Sequence, residues 1–444
     1  MMKFLKSLYI HKQLYIYLAI ASVCFLLAYW IPPLYSIAWI LVVIILVVLL
    51  IDLLLLYQPK NAINARRILP DKFSNSDNNP VPITITNNYN FKTYIDVIDE
   101  LPVQFQKRDF LYKTALNPNQ NHNFDYMVRP VDRGEYYFGH LNVFVSSILK
   151  IVKRKYKFQN QQMVMVYPSI IQMQKYDFLA ISNSLTQIGL KKIRRIGHTS
   201  EFEQIKEYVN GDDFRTVNWK ATAKHAQLMV NQYQDEKSQP IYSIIDTGRV
   251  MKMPFNGLKL LDYAINSTLA FSNVALKKHD KVGMLSFSKN IESFLPAIHK
   301  LTYLNRILET LYNIDTQFND SDYGLLYAQL KRKVTHRSLL LLYTNFEHLS
   351  ALKRQMPYLQ AISKKHMLVV VLFENTELDT IIKTNAEDLQ SIYHKTIAEK
   401  FAFEKRLMVK ELQKHGIQAI LTPPEKLTIN TINKYLEIKA RGLL

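Results

Sequence analysis

Two apolar runs open the chain and limit what it can become. Leu14 to Ile31 carries no charge, and Leu34 to Tyr57 carries only Asp52. At about 1.5 Å of rise per helical residue, runs of about 18 and 24 residues reach across a hydrocarbon core of about 30 Å, the first with little to spare. Pro32-Pro33 between them cannot continue a helix and suits a tight turn at the far face. The expectation is a transmembrane helical hairpin over residues 1–60. Lys3, Lys6 and Lys12 precede it, Lys60, Arg66 and Arg67 follow it, and the turn carries no charge. The positive-inside rule then places both termini in the cytoplasm. Trp30, Tyr35, Trp39 and Tyr57 fall near the interfaces, where amphipathic rings are favoured. A cleaved signal peptide would need small residues at its cleavage site, and Ala28-Tyr29-Trp30 supplies a poor one. A buried hairpin in a soluble protein would need more polar positions than the second run has. Asp52 lies about a turn and a half from the cytoplasmic end, and is read as a snorkelling or water-exposed carboxylate.

A chain of 444 residues implies two or three folded units. Cys24 is the single cysteine, which excludes disulfides, a Cys-ligated zinc site and a thiol nucleophile. The balance of 56 Lys+Arg against 37 Asp+Glu gives a formal charge of +19, which draws a chain toward anionic lipid or nucleic acid. Its basic clusters are Lys153-Arg154-Lys155, Lys191-Lys192 with Arg194-Arg195, Lys277-Lys278 and Lys331-Arg332-Lys333. They are dispersed, with no interleaved aromatics and no helix-turn-helix pattern, so a membrane-facing or solvated surface is expected and no nucleic acid.

Residues 61–169 alternate apolar and polar positions in short runs. Val81–Thr86, Tyr94–Asp99, Asn123–Val128, Gly134–Val145, Lys150–Phe158 and Met163–Tyr167 read as strands, and residues 87–90 as a turn. Short strands with turn signals and little helix suggest a β-sandwich of immunoglobulin-like type. From residue 240 to the end, strands and helices alternate. Pro240–Asp246, Val282–Phe287, Ser338–Phe346, Met367–Glu374 and Ile417–Leu421 read as strands. Helices are expected over 257–278, 300–313, 323–333, 349–365, 378–415 (broken) and 430–440. This order predicts a Rossmann-like α/β domain with a mostly parallel sheet, whose binding edge lies at the carboxyl ends of the strands, where Asp246 falls.

Between these regions, residues 170–239 hold the densest chemistry. Gly211 and Asp212 suit a tight turn, and Asp213, or the Asp212/Asp213 pair, can cap a helix over Phe214–Lys224. On that helix Arg215 and Trp219 would lie four residues apart, guanidinium beside indole. Packing through Phe214, Val217 and Trp219 accounts for the same pattern structurally.

The spacing resembles the signature of a bacterial family known as domain of unknown function 58, Tyr-x-x-Gly-Asp-x-x-Arg-x-(Ile/Val)-(Asp/Asn)-Trp-(Lys/Arg)-x-(Ser/Thr)-Ala-(Arg/Lys). Tyr208, Gly211, Asp212, Arg215, Val217, Asn218, Trp219, Lys220, Thr222, Ala223 and Lys224 fill it in order. The lead-in from Ile196 to Tyr208 is similar too, with Lys206 where Arg is usual, and Arg133-Gly134-Glu135-Tyr136 resembles the family's Arg-Gly-x-Tyr element. The resemblance implies a multidomain membrane protein of the inner membrane whose last domain is of von Willebrand factor A type. Such domains bind a divalent cation through Asp-x-Ser-x-Ser after the first strand, with a Thr and an Asp from later loops. Here Asp246 stands, but Gly248 and Val250 occupy the serine positions, and Thr344-Asn345-Phe346 puts an amide where the aspartate is expected. A degenerate site follows, with no resident cofactor, Asp246 as its remaining Mg²⁺ candidate, and a strand-end cap or a partnership with Arg249 as the carboxylate's role.

The resemblance also implies a MoxR-type AAA+ ATPase as partner. The function expected is a membrane-anchored, cytoplasm-facing interaction or scaffold protein. Tyr208, Gly211, Asp212, Arg215, Asn218, Trp219, Lys220 and Lys224 then form its interaction surface, bracing a domain junction or presenting a docking face. Two rival readings are a divalent-metal-dependent von Willebrand-type binder and a hydrolase. The chain has no His-Glu-x-x-His pair, Gly-x-Ser-x-Gly elbow or phosphate loop, so no enzyme is expected; Asp212 and Asp246 are the acids such an activity would have to use.

Overall fold

Each apolar run forms a helix, but not to the expected bounds. The first spans Lys12–Leu27 and the second Pro33–Tyr57. In this computed structural model the described residues are 2–59, 62–158, 162–176, 200–210, 212–225, 227–235, 239–316, 318–385 and 388–443. Lys60, Gly211, the cluster at 191–195 and the start of the Ile196 lead-in lie outside them. The first helix ends at Leu27, the amides of Ala28 to Ile31 still reach back three or four residues as turns, and Tyr29 and Trp30 sit exposed there. Pro33 then opens the second helix, where its missing N–H costs nothing. Phe25 packs edge-on against Tyr35 and Trp39, closing the hairpin. The second helix, at 25 residues, is long and apolar enough to cross a membrane; the first is shorter, at 16 residues.

Asp52 corrects the reading from sequence. Its carboxylate is fully buried, and it accepts hydrogen bonds from the Ser147 hydroxyl and from the backbone amides of Ile151 (3.0 Å) and Val152 (2.9 Å). The helix end is thus held by a strand turn of the same unit and does not face water. Leu56, also fully buried, joins that core, and Arg154 donates to the carbonyls of Leu56 and Pro59 while stacking on Tyr57 and Tyr156. A guanidinium there satisfies carbonyls that a helix end leaves open.

The chain divides into two units, Met1–Tyr167 and Pro168–Leu444. In the first, a five-stranded sheet runs in the order β1 (Leu8–Ile10), β10 (Val152–Phe158), β9 (Leu141–Ser146), β5 (Thr93–Asp99), β6 (Tyr112–Leu116). A second sheet comprises β2 (Ile63–Arg67), β4 (Asn79–Asn87) and β7 (Asn121–Val128); a third comprises β3 (Lys72–Ser74), β11 (Gln162–Tyr167) and β8 (Gly134–Phe138). Ile83 and Ile85 of β4 share a buried core with Ile95, Val97, Val143 and Val145 of the five-stranded sheet. Alternate residues of each strand therefore face inward, as the period of two requires. The run read as one strand from Gly134 to Val145 is two, in different sheets, broken at Gly139-His140. Gly134 itself takes a φ of +125°, so the Arg-Gly-x-Tyr element is a turn entering β8, and the Tyr136 hydroxyl donates to the Asp132 carbonyl. Arg67, grouped above with the flanking cations, is instead buried in an ion pair with Asp99. Burial pushes the Asp99 carboxyl up, and the guanidinium opposes that shift.

The second unit is built on a six-stranded sheet. Its order is β18 (Ile291–Ile298), β17 (Lys281–Phe287), β14 (Pro240–Asp246), β19 (Leu339–Tyr343), β20 (Met367–Phe373), β21 (Gln418–Thr422). All neighbours pair in parallel except β17 and β18. The helices Leu260–Lys277 and Leu427–Ala440 cover one face, and Tyr323–Lys333, Leu349–Ser363 and Leu389–Lys414 the other. Connections leave β14 in opposite directions, so the order reverses between β14 and β19, where open α/β sheets offer a crevice. Ahead of this sheet stands an antiparallel hairpin, β12 (Ser200–Glu207) with β13 (Met229–Asp235).

Candidate functional site

Asp246 ends β14 at the reversal point, and the first question is what its carboxylate meets. Ser321 donates to Oδ1, as does the Gly248 amide at 2.9 Å. Thr344, just past β19, donates to Oδ2 at 2.6 Å, and the Tyr323 hydroxyl lies 3.3 Å from the same oxygen and 2.7 Å from Thr344 Oγ1. Burial pushes the Asp246 carboxyl up, and these donors pull it back. Both carboxylate oxygens thus accept from protein donors. A Cβ at Gly248 would come within 2.2 Å of Ser321 Oγ. Ser321, from another loop, thus places its hydroxyl where a side chain at 248 would lie, so a residue larger than glycine there would displace it. Sequence reasoning missed Ser321 and Tyr323 because they lie about 75 residues away, with no motif linking them to Asp246.

Arg249 does not pair with Asp246. It faces Glu347 at 3.5 Å and Asp320 at 3.9 Å. Asn345, in the aspartate position, accepts from the Lys405 ammonium through its side-chain oxygen, and Lys405 also donates to the Phe346 carbonyl at 2.6 Å. Burial pushes the Lys405 ammonium down to about 8, with Glu347 and Glu404 opposing the shift. An amide suits this place because it can accept from an ammonium without carrying charge. Among the described residues no group of three or more His, Cys, Asp or Glu is arranged to hold a metal ion. Beside these residues a cleft of about 490 Å³ opens along the carboxyl edge of the sheet.

The signature segment joins β12 to β13 and departs from the single helix expected. Phe214–Thr216 is one 3₁₀ turn capped by Asp213, Val217 is extended and bridges to Val230, and a separate helix runs from Trp219 to His225. Asn218 divides the two, its Oδ1 accepting from the Ala221 amide and its Nδ2 donating to Asn231. The break at Val217 removes the helix that would have set Arg215 beside Trp219. Neither aromatic packs inward: Trp219 is 73% exposed and Phe214 67%, with Tyr208 against the Phe214 ring at 5.0 Å. Arg215, Lys220 and Lys224 are exposed around them. Asp212 accepts from the Val209 amide and Lys206, both at 3.0 Å, and these bonds hold its carboxyl below the usual range. It is therefore ionised at neutral pH and holds the tight turn. Gly211, the turn's other half, lies outside the described residues.

The segment thus exposes two aromatics, Phe214 and Trp219, and three cations, Arg215, Lys220 and Lys224, on a loop held by Asp212 and Asn218. Residues 204–391 match the family described as Protein of unknown function DUF58. That match covers the hairpin from the middle of β12 onward, the signature and most of the parallel sheet. The uncharacterized protein YeaD of Bacillus subtilis (strain 168) is 24% identical over 123 residues, which is 27% of this chain and 30% of that protein. The chain thus spans under a third of that protein's length. Among solved structures, the conserved hypothetical protein BatB from Bacteroides thetaiotaomicron is similar at 14% identity, over 46% of this chain and 100% of that one, with a TM-score of 0.33. The PapD-like domain 7 of human CEP192 is similar at 10% identity, over 25% and 89%, with a TM-score of 0.19.

Proposed function

We propose that this chain is a membrane-anchored, cytoplasm-facing scaffold that recruits a target to a MoxR-type AAA+ ATPase during assembly or maturation of membrane or envelope proteins. The exposed Trp219 and Phe214 carry the reading. Large aromatics cost solubility where nothing covers them, and with neighbouring arginine they are the residues that dominate protein interfaces. In this reading both apolar helices cross the inner membrane as a hairpin with its ends in the cytoplasm, the facing sheets are an immunoglobulin-like spacer, and the parallel sheet is a von Willebrand factor A-type domain. The strand order and the position of Asp246 favour that last assignment. Burial of Asp52 and Leu56 favours a retained anchor over a cleaved signal, since removing them would leave Ser147 and two backbone amides without their acceptor. Capture from native membranes tests the proposal. An AAA+ ATPase is expected to copurify with the wild-type chain and to be lost with Trp219→Ala. Its consistent absence from the wild-type capture would overturn the reading.

A further inference from the structure

The cleft at the carboxyl edge of the sheet has an unbalanced charge pattern. Its walls are apolar, built from Met253, Phe255, Leu260, Phe373, Leu378 and Phe401. Most of its charged groups answer one another: Arg249 faces Glu347, and His348 lies 3.6 Å from Glu404. Two do not. Lys405 spends two N–H groups on neutral oxygens, those of Asn345 and Phe346, and among the described residues no carboxylate lies within ion-pair distance of it. Glu374, following β20, is half-buried in the same cleft and has no ionic partner among the described residues. Among the described residues neither group is in a direct ion pair, Glu347 and Glu404 acting on Lys405 only from beyond pairing distance, and a ligand of matching charges can pair both.

We propose that this cleft binds a short apolar peptide in its zwitterionic form, with the terminal carboxylate on Lys405 and the terminal ammonium on Glu374. A volume of about 490 Å³ falls in the range of small-ligand sites and admits two or three apolar residues. A fatty acid or a hydrophobic alcohol would satisfy the walls and at most one of the two charges. A metal-bound ligand carboxylate is not required, because the ammonium of Lys405 supplies the positive charge. The inference uses the sheet edge alone and does not rest on the scaffold proposal.

Calorimetry on the full chain in detergent, with leucyl-leucyl-phenylalanine as the ligand, tests it. Four forms are compared: free, N-acetylated, C-amidated and doubly capped, the last measuring apolar binding alone. The free peptide is expected to bind most tightly, and each cap to weaken it about tenfold, the usual scale for one charged hydrogen bond. Lys405→Met should erase the effect of the C-terminal cap and keep that of the N-terminal cap. Glu374→Gln should do the reverse, and since Glu374 has no structural ion pair it keeps the test decisive if the lysine variant misfolds. Equal binding of all four forms, no heat from the free peptide at millimolar concentration, or unchanged cap effects in Glu374→Gln would each overturn the proposal.

Discussion

Asp52 and Asp246 are both buried carboxylates at the end of a regular element, and both are held by donors distant in sequence. Removing either leaves donors buried and unpaired, which costs more than the lost bonds alone. Asp52→Ala should lower stability by about 2–4 kcal/mol and Asp52→Asn by less, since an amide oxygen in the place of Oδ2 can still accept from both backbone amides. Denaturant melts in detergent check this. Asp246→Ala strands three hydroxyls and should cost about 2–3 kcal/mol, with no Mg²⁺-dependent change in Tm for the wild-type chain. A Mg²⁺-induced rise in wild-type Tm that the variant lacks would favour the metal-dependent reading instead. His366 is buried, its Nδ1 has no hydrogen-bond partner among the described residues, and burial, helped by Lys365, pushes it down to about 4. An unfolded histidine titrates near 6.5, so between these values the unfolded chain binds more protons. This part of the stability is complete above about pH 6.5 and is lost as the pH falls toward 4, on the order of 1–3 kcal/mol in all. His366→Asn should flatten the difference between melts at pH 7 and pH 5.

At the scale of elements, periodicity carried far in the parallel sheet and stopped at its edge. The fully buried strands and the helix repeats at three and four positions were legible, because tertiary packing and local pattern agree there. β18 was not: Ile291–Ile298 alternates only loosely and contains Pro296, which an edge strand tolerates. β17 packs close behind it, and a Cβ at Gly283 would meet the Tyr242 ring at 2.6 Å and the Leu295 carbonyl at 2.7 Å. Gly283→Ala should therefore destabilise the chain by about 1–3 kcal/mol, measured as a fall in Tm, because neither neighbour is a flexible chain end. The β12–β13 hairpin was missed for a different reason. Ser200–Glu207 carries four charged residues in eight and reads as a solvated run, although its backbone pairs with β13 from end to end, with one irregularity between Phe202 and Gln204. The signature was legible as a motif, but its shape was not. Asp213 caps as expected, yet Asn218 starts a second helix, and that choice turns Trp219 outward. Trp219→Ala should then change stability by no more than about 0.5 kcal/mol while abolishing partner capture, which separates a contact role from a packing one.

Across the whole molecule, the second unit has its own core on both faces of one sheet, and the first shares its core with the end of the second apolar helix. A fragment from Pro168 to Leu444 should therefore unfold cooperatively by itself. A fragment of residues 62–167 should not, because it lacks Leu56 and the acceptor for the turn before β10; circular dichroism melts of the two pieces decide this. The long-range hydrogen bonds of Asp52, Ser321 and Lys405 could not be read from sequence, since each joins residues separated by about 60 to 100 positions. For the proposed anchor that closure has a mechanical meaning. A sheet domain hung from a flexible linker would swing and could be tugged without disturbing its helix. Here the helix end is locked into the sheets through Asp52 and Arg154, so in the membrane-anchored arrangement proposed above a pull on the domain would load the spanning helix directly. The joint is a bracket, and it transmits torque as well as tension.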